Sequence, residues 1–176
     1  MQTVVQTHFV DSLSCILSSL IRPNNRLLDV GTGAGFPGLP LKIYDPSLQV
    51  TVVDVVSKKI MFLRHLCRVL NFQDVTCVAS RVEQLSPCHP SSSLEGCFDI
   101  IVSRAVGTIP HLLHLAAPFF APGGHVLLQR GHKAPQEIHE HDAFFREAGF
   151  QIANIVPVKL SFFVNPRYLV LLSYLI

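Results

Sequence analysis

Chemistry is most concentrated in the run Asp29-Val-Gly-Thr-Gly-Ala-Gly-Phe-Pro-Gly38, in which four glycines follow an acid. Glycine is needed where φ is positive or where a ligand comes close to the backbone. Ligands of open α/β sheets bind beyond the carboxyl ends of the strands, where this loop would lie. Gly33-Ala-Gly-Phe-Pro-Gly38 matches the G-x-G-x-x-G spacing of dinucleotide sites, and Asp54 follows Gly35 by 19 residues, as a ribose-binding acid would. A nicotinamide or flavin cofactor is therefore a rival reading. Three features favour S-adenosylmethionine instead. Asp29 directly precedes the glycines, where its carboxylate would repel a pyrophosphate and attract a sulfonium and an ammonium group. Pro37 and the crowded Gly31-Thr-Gly33 turn make a wider loop. The third is a set of later segments, Phe98 to Ala105, Pro122-Gly-Gly124 and a terminal hairpin.

The elements that must hold this loop follow from apolar periodicity. Arg26–Val30, Gln49–Asp54, Val75–Val78, Phe98–Ser103 and His125–Gln129 read as strands, several of them apolar on both faces, as strands buried between helix layers must be. Ser57–Leu70 has helical spacing, with Ile60, Leu63, Leu66, Val69 and Leu70 on one side. Pro135–Ala148 is helix-friendly and ends at Gly149, a good C-cap. Thr3–Leu20 carries Val5, Phe9, Leu13, Ile16, Leu17 and Leu20 at helical intervals. At the end, Phe150–Leu160 and Arg167–Tyr174 are both strand-like with only a loop between, so they must pair antiparallel. The expected fold is α/β: a doubly wound, mostly parallel, seven-stranded sheet with a C-terminal antiparallel hairpin. The expected organisation is one domain over 1–176, with an N-terminal helix (1–20) on a cofactor-binding core (26–176).

Composition narrows the class. The chain has 176 residues, 49% hydrophobic and 15% charged, with a formal net charge of +2. That is a globular balance, far from disorder, and its mild basicity permits a nucleic-acid partner without demanding one. No apolar run approaches the ~20 residues of a spanning helix. His111–Phe120, the most apolar region, contains two histidines and a proline. No signal peptide is visible, which predicts a cytoplasmic protein without membrane contact. Cys15, Cys67, Cys77, Cys88 and Cys97 are odd in number and lack C-x-x-C spacing, so they read as buried hydrophobes in a reducing compartment, with no metal site. Ser86–Gly96 reads as a surface loop.

Together these residues resemble one family. Asp29 to Pro40, Asp54 with Lys58-Lys-Ile-Met-Phe-Leu63, Ser80-Arg-Val-Glu83 and Ser103-Arg-Ala105 are similar to the RsmG (GidB) family of bacterial guanine-N7 methyltransferases acting on 16S ribosomal RNA. His8-Phe-Val-Asp-Ser-Leu13 and Arg167-Tyr-Leu-Val170 fit as well. The resemblance implies that Gly31 and Phe36 wrap adenosylmethionine, that Asp54 meets the ribose, that Val82 and Glu83 sit at the adenine end, and that Arg104 borders cofactor and substrate. It implies the 16S RNA or the small ribosomal subunit as partner, and a guanine in the decoding region as target. Relative to the family pattern the chain has no tryptophan and starts after a tryptophan–asparagine segment; Thr7 stands where an arginine is usual, and Arg130, before Gly131, where a lysine is usual.

The chemistry of such a reaction is undemanding. N7 of guanine has an in-plane lone pair and no proton to lose, so alignment matters more than a general base. Arg104, Arg130 and Arg167 are the candidates to hold phosphates or guanine O6, with surface or structural ion pairing the other reading of Arg130 and Arg167. His8 and Asp11, one turn apart, read as a capping or core hydrogen-bond pair. Lys58, Lys59, Arg64, His65 and Arg68 place positive charge on one helix, read equally as a solvated face or an RNA contact. Phe162 and Phe163, in the loop of the terminal hairpin, are the clustered aromatics, read either as a base-stacking pair or as a cap on the core. A small-molecule or protein methyltransferase, a nicotinamide-dependent reductase and a non-catalytic binding module are the other readings, and a monomer is expected.

Overall fold

The computed structural model describes residues 2–85, 98–104 and 106–175. The expected surface loop Ser86–Gly96, Cys88, Cys97 and Ala105 lie outside them. Seven strands form one sheet: β1 (Arg26–Val30), β2 (Gln49–Asp54), β3 (Val75–Ala79), β4 (Phe98–Arg104), β5 (Phe120–Arg130), β6 (Phe150–Val158) and β7 (Arg167–Tyr174). Their spatial order is β3-β2-β1-β4-β5-β7-β6. The first five pair in parallel, while β7 runs antiparallel between β5 and β6. The doubly wound sheet with its terminal hairpin is therefore as expected. The winding reverses between β1 and β4, and that switch point opens the crevice in which such sheets bind ligands.

Alternate residues of the strands feed two cores. Leu28, Val30, Ile101 and Val126 pack on one face with α5 (Ile109–Ala116), α6 (Ala134–Glu140) and α7 (Asp142–Glu147). Leu27, Val50, Val52 and Ile100 pack on the other with α3 (Gly38–Tyr44) and α4 (Ser57–Val69). Two-faced burial explains why these strands read as nearly unbroken apolar runs.

Several boundaries differ from the sequence reading, each for a local reason. β4 runs on to Arg104 and β5 begins already at Phe120, because Pro122-Gly123-Gly124 is accommodated as a bulge: Phe98 pairs with Phe120, but Ile100 pairs with His125. The helix expected over Pro135–Ala148 is two helices, broken at His141. The N-terminal helix is irregular: α1 (Gln2–Val4), a π-helical turn (Val5–Val10), α2 (Asp11–Leu13) and a 3-10 turn (Ser14–Ser18). Hydroxyls compete for its backbone carbonyls, Thr7 Oγ1 donating to Thr3 O (2.8 Å), Ser12 Oγ to His8 O (2.6 Å) and Ser18 Oγ to Cys15 O (2.6 Å). Among the described residues, no helix is long and apolar enough to cross a membrane.

Candidate functional site

The glycine loop leaves β1 and folds back on the end of β2. The N–H groups of Gly31 and Thr32 both donate to Val53 O, at 2.9 and 3.1 Å. Gly35 and Phe36 donate to Thr32 O at 3.0 and 2.9 Å, and Leu39 to Gly35 O at 2.8 Å. Gly33 N–H donates to Asp54 Oδ2 at 3.0 Å. Gly33 has φ of +61°, and a Cβ built there would meet nothing within 4 Å, so the loop faces open space at this point. A Cβ on Gly38 would lie 2.8 Å from Asp29 Oδ2, which is why only glycine fits at the start of α3.

Asp29 lies beneath this loop and not in its hollow. Its side chain is wholly buried, and Oδ2 accepts from Thr32 Oγ1 at 2.7 Å and from Gly38 N–H at 2.8 Å. Oδ1 is buried with no partner. Burial pushes the carboxyl up to about 6, against the lowering effect of those two hydrogen bonds and of Arg104. Asp54, at the end of β2, is better supplied with donors. Burial raises its pKa, but the Val56 N–H (2.9 Å), the Lys59 ammonium (3.2 Å) and the Gly33 N–H prevail and hold it below the ordinary carboxylate range. It stays ionised, with both oxygens at the rim of the loop.

The end of β3 lies beside Asp54, since Ala79 pairs with Asp54 and Ser80 N–H donates to Asp54 O at 3.2 Å. Val82 opens the short turn that follows. Its side chain is buried in the core and Glu83 is exposed, so at Val82 the backbone is what can face a ligand.

The remaining site residues meet on the same rim, because β7 is antiparallel and begins where β4 and β5 end. Arg130 pairs with Tyr168, and Arg104 with Gln129. Arg104 Nη1 lies 3.6 Å from Asp11 Oδ2, with its guanidinium carbon 5.1 Å from the centre of the Phe36 ring. His8 stacks on that ring at 5.2 Å and Phe9 meets it edge-on at 5.0 Å. The N-terminal helix thus clamps the glycine loop through Phe36 and β4 through Arg104. The pairing expected between His8 and Asp11 is not what the structure shows: Asp11 turns to Arg104, while His8 lies on Phe36 and its Nδ1 has no partner. Burial raises the Asp11 pKa, and Arg167, Arg104 and His8 pull it back.

Arg130 and Arg167 are placed differently from Arg104. Arg130 donates Nη1 to Gly107 O at 2.7 Å and Nη2 to Val106 O at 3.2 Å, so its guanidinium braces the loop after β4. Burial lowers its pKa. Arg167 lies over Phe163, 4.4 Å from the ring centre, beside a pocket of about 240 Å³ that also includes Gly131 and His132. Gln129 was not singled out by its residue type or spacing. Its Nε2 donates to Asp11 O at 2.6 Å and holds the N-terminal helix against β5. A buried glutamine at a strand's carboxyl end is the one signal that could have marked it.

A seven-stranded sheet with this order, an acid at the end of β2 and a glycine loop after β1 form the fold of Rossmann-like methyltransferases. Solved structures agree: a SAM-dependent methyltransferase from Aquifex aeolicus superposes with a TM-score of 0.72 at 18% identity, over 99% of this chain and 94% of that one. A methyltransferase from Pyrococcus furiosus gives 0.71 at 20% identity, over 94% and 82%. The family described as GidB, rRNA small subunit methyltransferase G, matches residues 1–162, and the chain belongs to it. Proteins named ribosomal RNA small subunit methyltransferase G are similar throughout: 38% identical over 159 residues in Roseiflexus castenholzii and 37% over 174 in Deinococcus deserti, covering 89% and 98% of this chain. The chain spans about two thirds of such relatives, 65% and 69% of their lengths respectively.

Proposed function

We propose that the protein transfers a methyl group from S-adenosylmethionine to N7 of a guanine in the decoding region of 16S ribosomal RNA, acting on that RNA or on the small ribosomal subunit. The observation that carries the cofactor assignment is the state of the loop's amides. A dinucleotide pyrophosphate needs free N–H donors at the loop and the helix start. Here Gly31, Thr32, Gly33, Gly35, Phe36 and Gly38 have all given theirs to protein acceptors. The acceptor at Gly38 N–H is the carboxylate of Asp29 itself, which occupies the anion's seat at the head of α3. Two carboxylates, with the exposed Ala34 N–H the loop amide left over, suit a cationic ligand better than a pyrophosphate, so the nicotinamide reading loses to the sulfonium one.

Adenosylmethionine supplies an electrophilic methyl on its sulfonium. The protein's own part is placement. Asp54 accepts from the ribose hydroxyls, the Val82 backbone and Glu83 face the adenine, and Gly31, Gly33, Gly35 and Phe36 enclose the amino-acid end above Asp29. Arg104, fixed by Asp11 and Phe36, orients the RNA at the rim, with Arg130 bracing the adjoining loop and Arg167 presenting its guanidinium with Phe163. Alignment of this kind can supply roughly 7–11 kcal/mol of a barrier. Because N7 gives up no proton, none of these groups must act as a base, and no metal is needed. The family's substrate class favours RNA over a small molecule or protein. The proposed protein works in the cytoplasm as a monomer.

Calorimetry tests the cofactor. Adenosylhomocysteine is expected to bind with micromolar affinity and NADH not at all; the opposite pattern removes the proposal. Asp54→Ala should weaken adenosylhomocysteine roughly 10- to 100-fold, since a hydrogen bond to a charged group is worth about 1.5–3 kcal/mol. The RNA assignment is tested by incubating small subunits from cells lacking the protein with enzyme and labelled adenosylmethionine. A single 7-methylguanosine is expected in the 16S RNA, and its absence removes the target.

A further inference from the structure

We infer that the outer face of α4, together with the groove between its second half and β3, docks the phosphate backbone of the RNA outside the methyl-transfer site. The inference rests on the function proposed above and adds a second contact surface to it. The thirteen residues of α4 include Lys58, Lys59, Arg64, His65 and Arg68 and no acid. All five are exposed. Lys59 is occupied with Asp54, which places the head of the helix at the cofactor rim. The others continue away from it: ten residues of helix separate Lys58 from Arg68, roughly 15 Å at ~1.5 Å per residue.

Charge is only half of the pattern. Met61 and Phe62, 65% and 52% exposed, lie between the cations. Apolar and aromatic side chains interleaved with Lys and Arg suit riboses and unstacked bases flanked by phosphates. Beside them, β3 is an edge strand of the sheet. Arg64 donates to Cys77 O at 2.9 Å and is held to the edge strand, while Arg68 Nε donates to Arg64 O of its own helix at 3.3 Å, so both guanidiniums keep donors to spare. The groove they border measures about 690 Å³, and Asn71, Phe72, Gln73 and Thr76 also line it. No acid lines it; Asp74 stands exposed in the turn next to it. β3 is four strand spacings from β5, roughly 19 Å at ~4.8 Å each, so one nucleotide cannot occupy both places and an extended or helical RNA can.

The test is the salt dependence of binding to deproteinised small-subunit RNA, measured between about 50 and 200 mM potassium chloride, where each phosphate contact adds close to one to the slope of log affinity against log salt. Lys58→Glu/Arg68→Glu should lower that slope by about two and weaken binding on the order of ten-fold, leaving adenosylhomocysteine affinity unchanged. Lys58→Arg/Arg68→Lys should restore both. An unchanged slope and affinity overturn the inference. So does a wild type that does not bind the naked RNA, or a deficit confined to assembled subunits, which would assign the surface to a protein partner. Methyl transfer by the wild type to small subunits is measured alongside. Its absence would overturn the proposed function, while the RNA slope would still report on the surface.

Discussion

Asp29→Asn should stabilise the protein at neutral pH while weakening its hold on adenosylhomocysteine. The carboxylate is wholly buried and one oxygen has no partner. With its pKa raised from 3.8 to about 6, the folded chain binds more protons than the unfolded chain between those values. Stability therefore falls as pH rises from about 4 to 6 and is level above, the reverse of an ordinary salt-bridged aspartate. A displacement of about two pKa units corresponds to about 3 kcal/mol between the ends of that window. Asparagine keeps an acceptor for Thr32 Oγ1 and Gly38 N–H but has no charge to desolvate. The two proteins should then match near pH 4 and diverge by up to about 3 kcal/mol by pH 7, roughly 6–12 °C in Tm for a chain of this size. Asp29→Ala should fall below the asparagine variant at every pH, because each donor it strands costs about 1–3 kcal/mol. Thermal unfolding of the three proteins from pH 4 to 8 reads this directly, and parallel curves for wild type and asparagine would refute it. Under the proposed placement a negative charge below the loop favours the ammonium of adenosylhomocysteine, and in adenosylmethionine the sulfonium as well, so the asparagine variant should gain stability and lose affinity.

Much of this arrangement is legible in the residues. Strand runs apolar on both faces led to a parallel sheet, the two terminal runs without a crossover helix to the antiparallel hairpin, and the glycine run to the loop at the end of β1. What escaped was set by partners distant in the chain or without a side-chain signature. Arg130 has the residue type of a phosphate ligand, yet its acceptors are the main-chain carbonyls of Val106 and Gly107, which no motif announces. Gln129 holds Asp11 O from 118 positions away. Pro122-Gly-Gly124, outside the strand expected over His125–Gln129, is a bulge inside β5, because register against β4 can shift there without ending the strand. The N-terminal apolar spacing correctly marked a helix, but hydroxyls at Thr7, Ser12, Ser14 and Ser18 draw on its carbonyls and make it irregular. Asp11 and His8 meet different neighbours, Arg104 and Phe36.

Those neighbours lead to the second large effect, at Arg104. Arg104→Ala should lower kcat/KM with small subunits on the order of 100-fold, the loss that a displacement of about 1 Å can cause at a reacting pair. Adenosylhomocysteine affinity should change far less, because the adenosine contacts proposed above are at Asp54 and Val82. Arg104→Lys should recover only a small part. The guanidinium carbon lies over the Phe36 ring and Nη1 lies toward Asp11, and an ammonium can reproduce neither the stacking of a planar group nor the fork of donors left for a phosphate or guanine O6. Asp11→Asn tests the same geometry from the other side. It removes the charge that holds Arg104 but leaves the backbone carbonyl that Gln129 holds, so the N-terminal helix stays seated. It should therefore reduce kcat more than it raises KM for the RNA. Equal activity in Arg104→Lys and wild type would show that a positive charge suffices at that place, and the oriented guanidinium would no longer explain how the guanine is held.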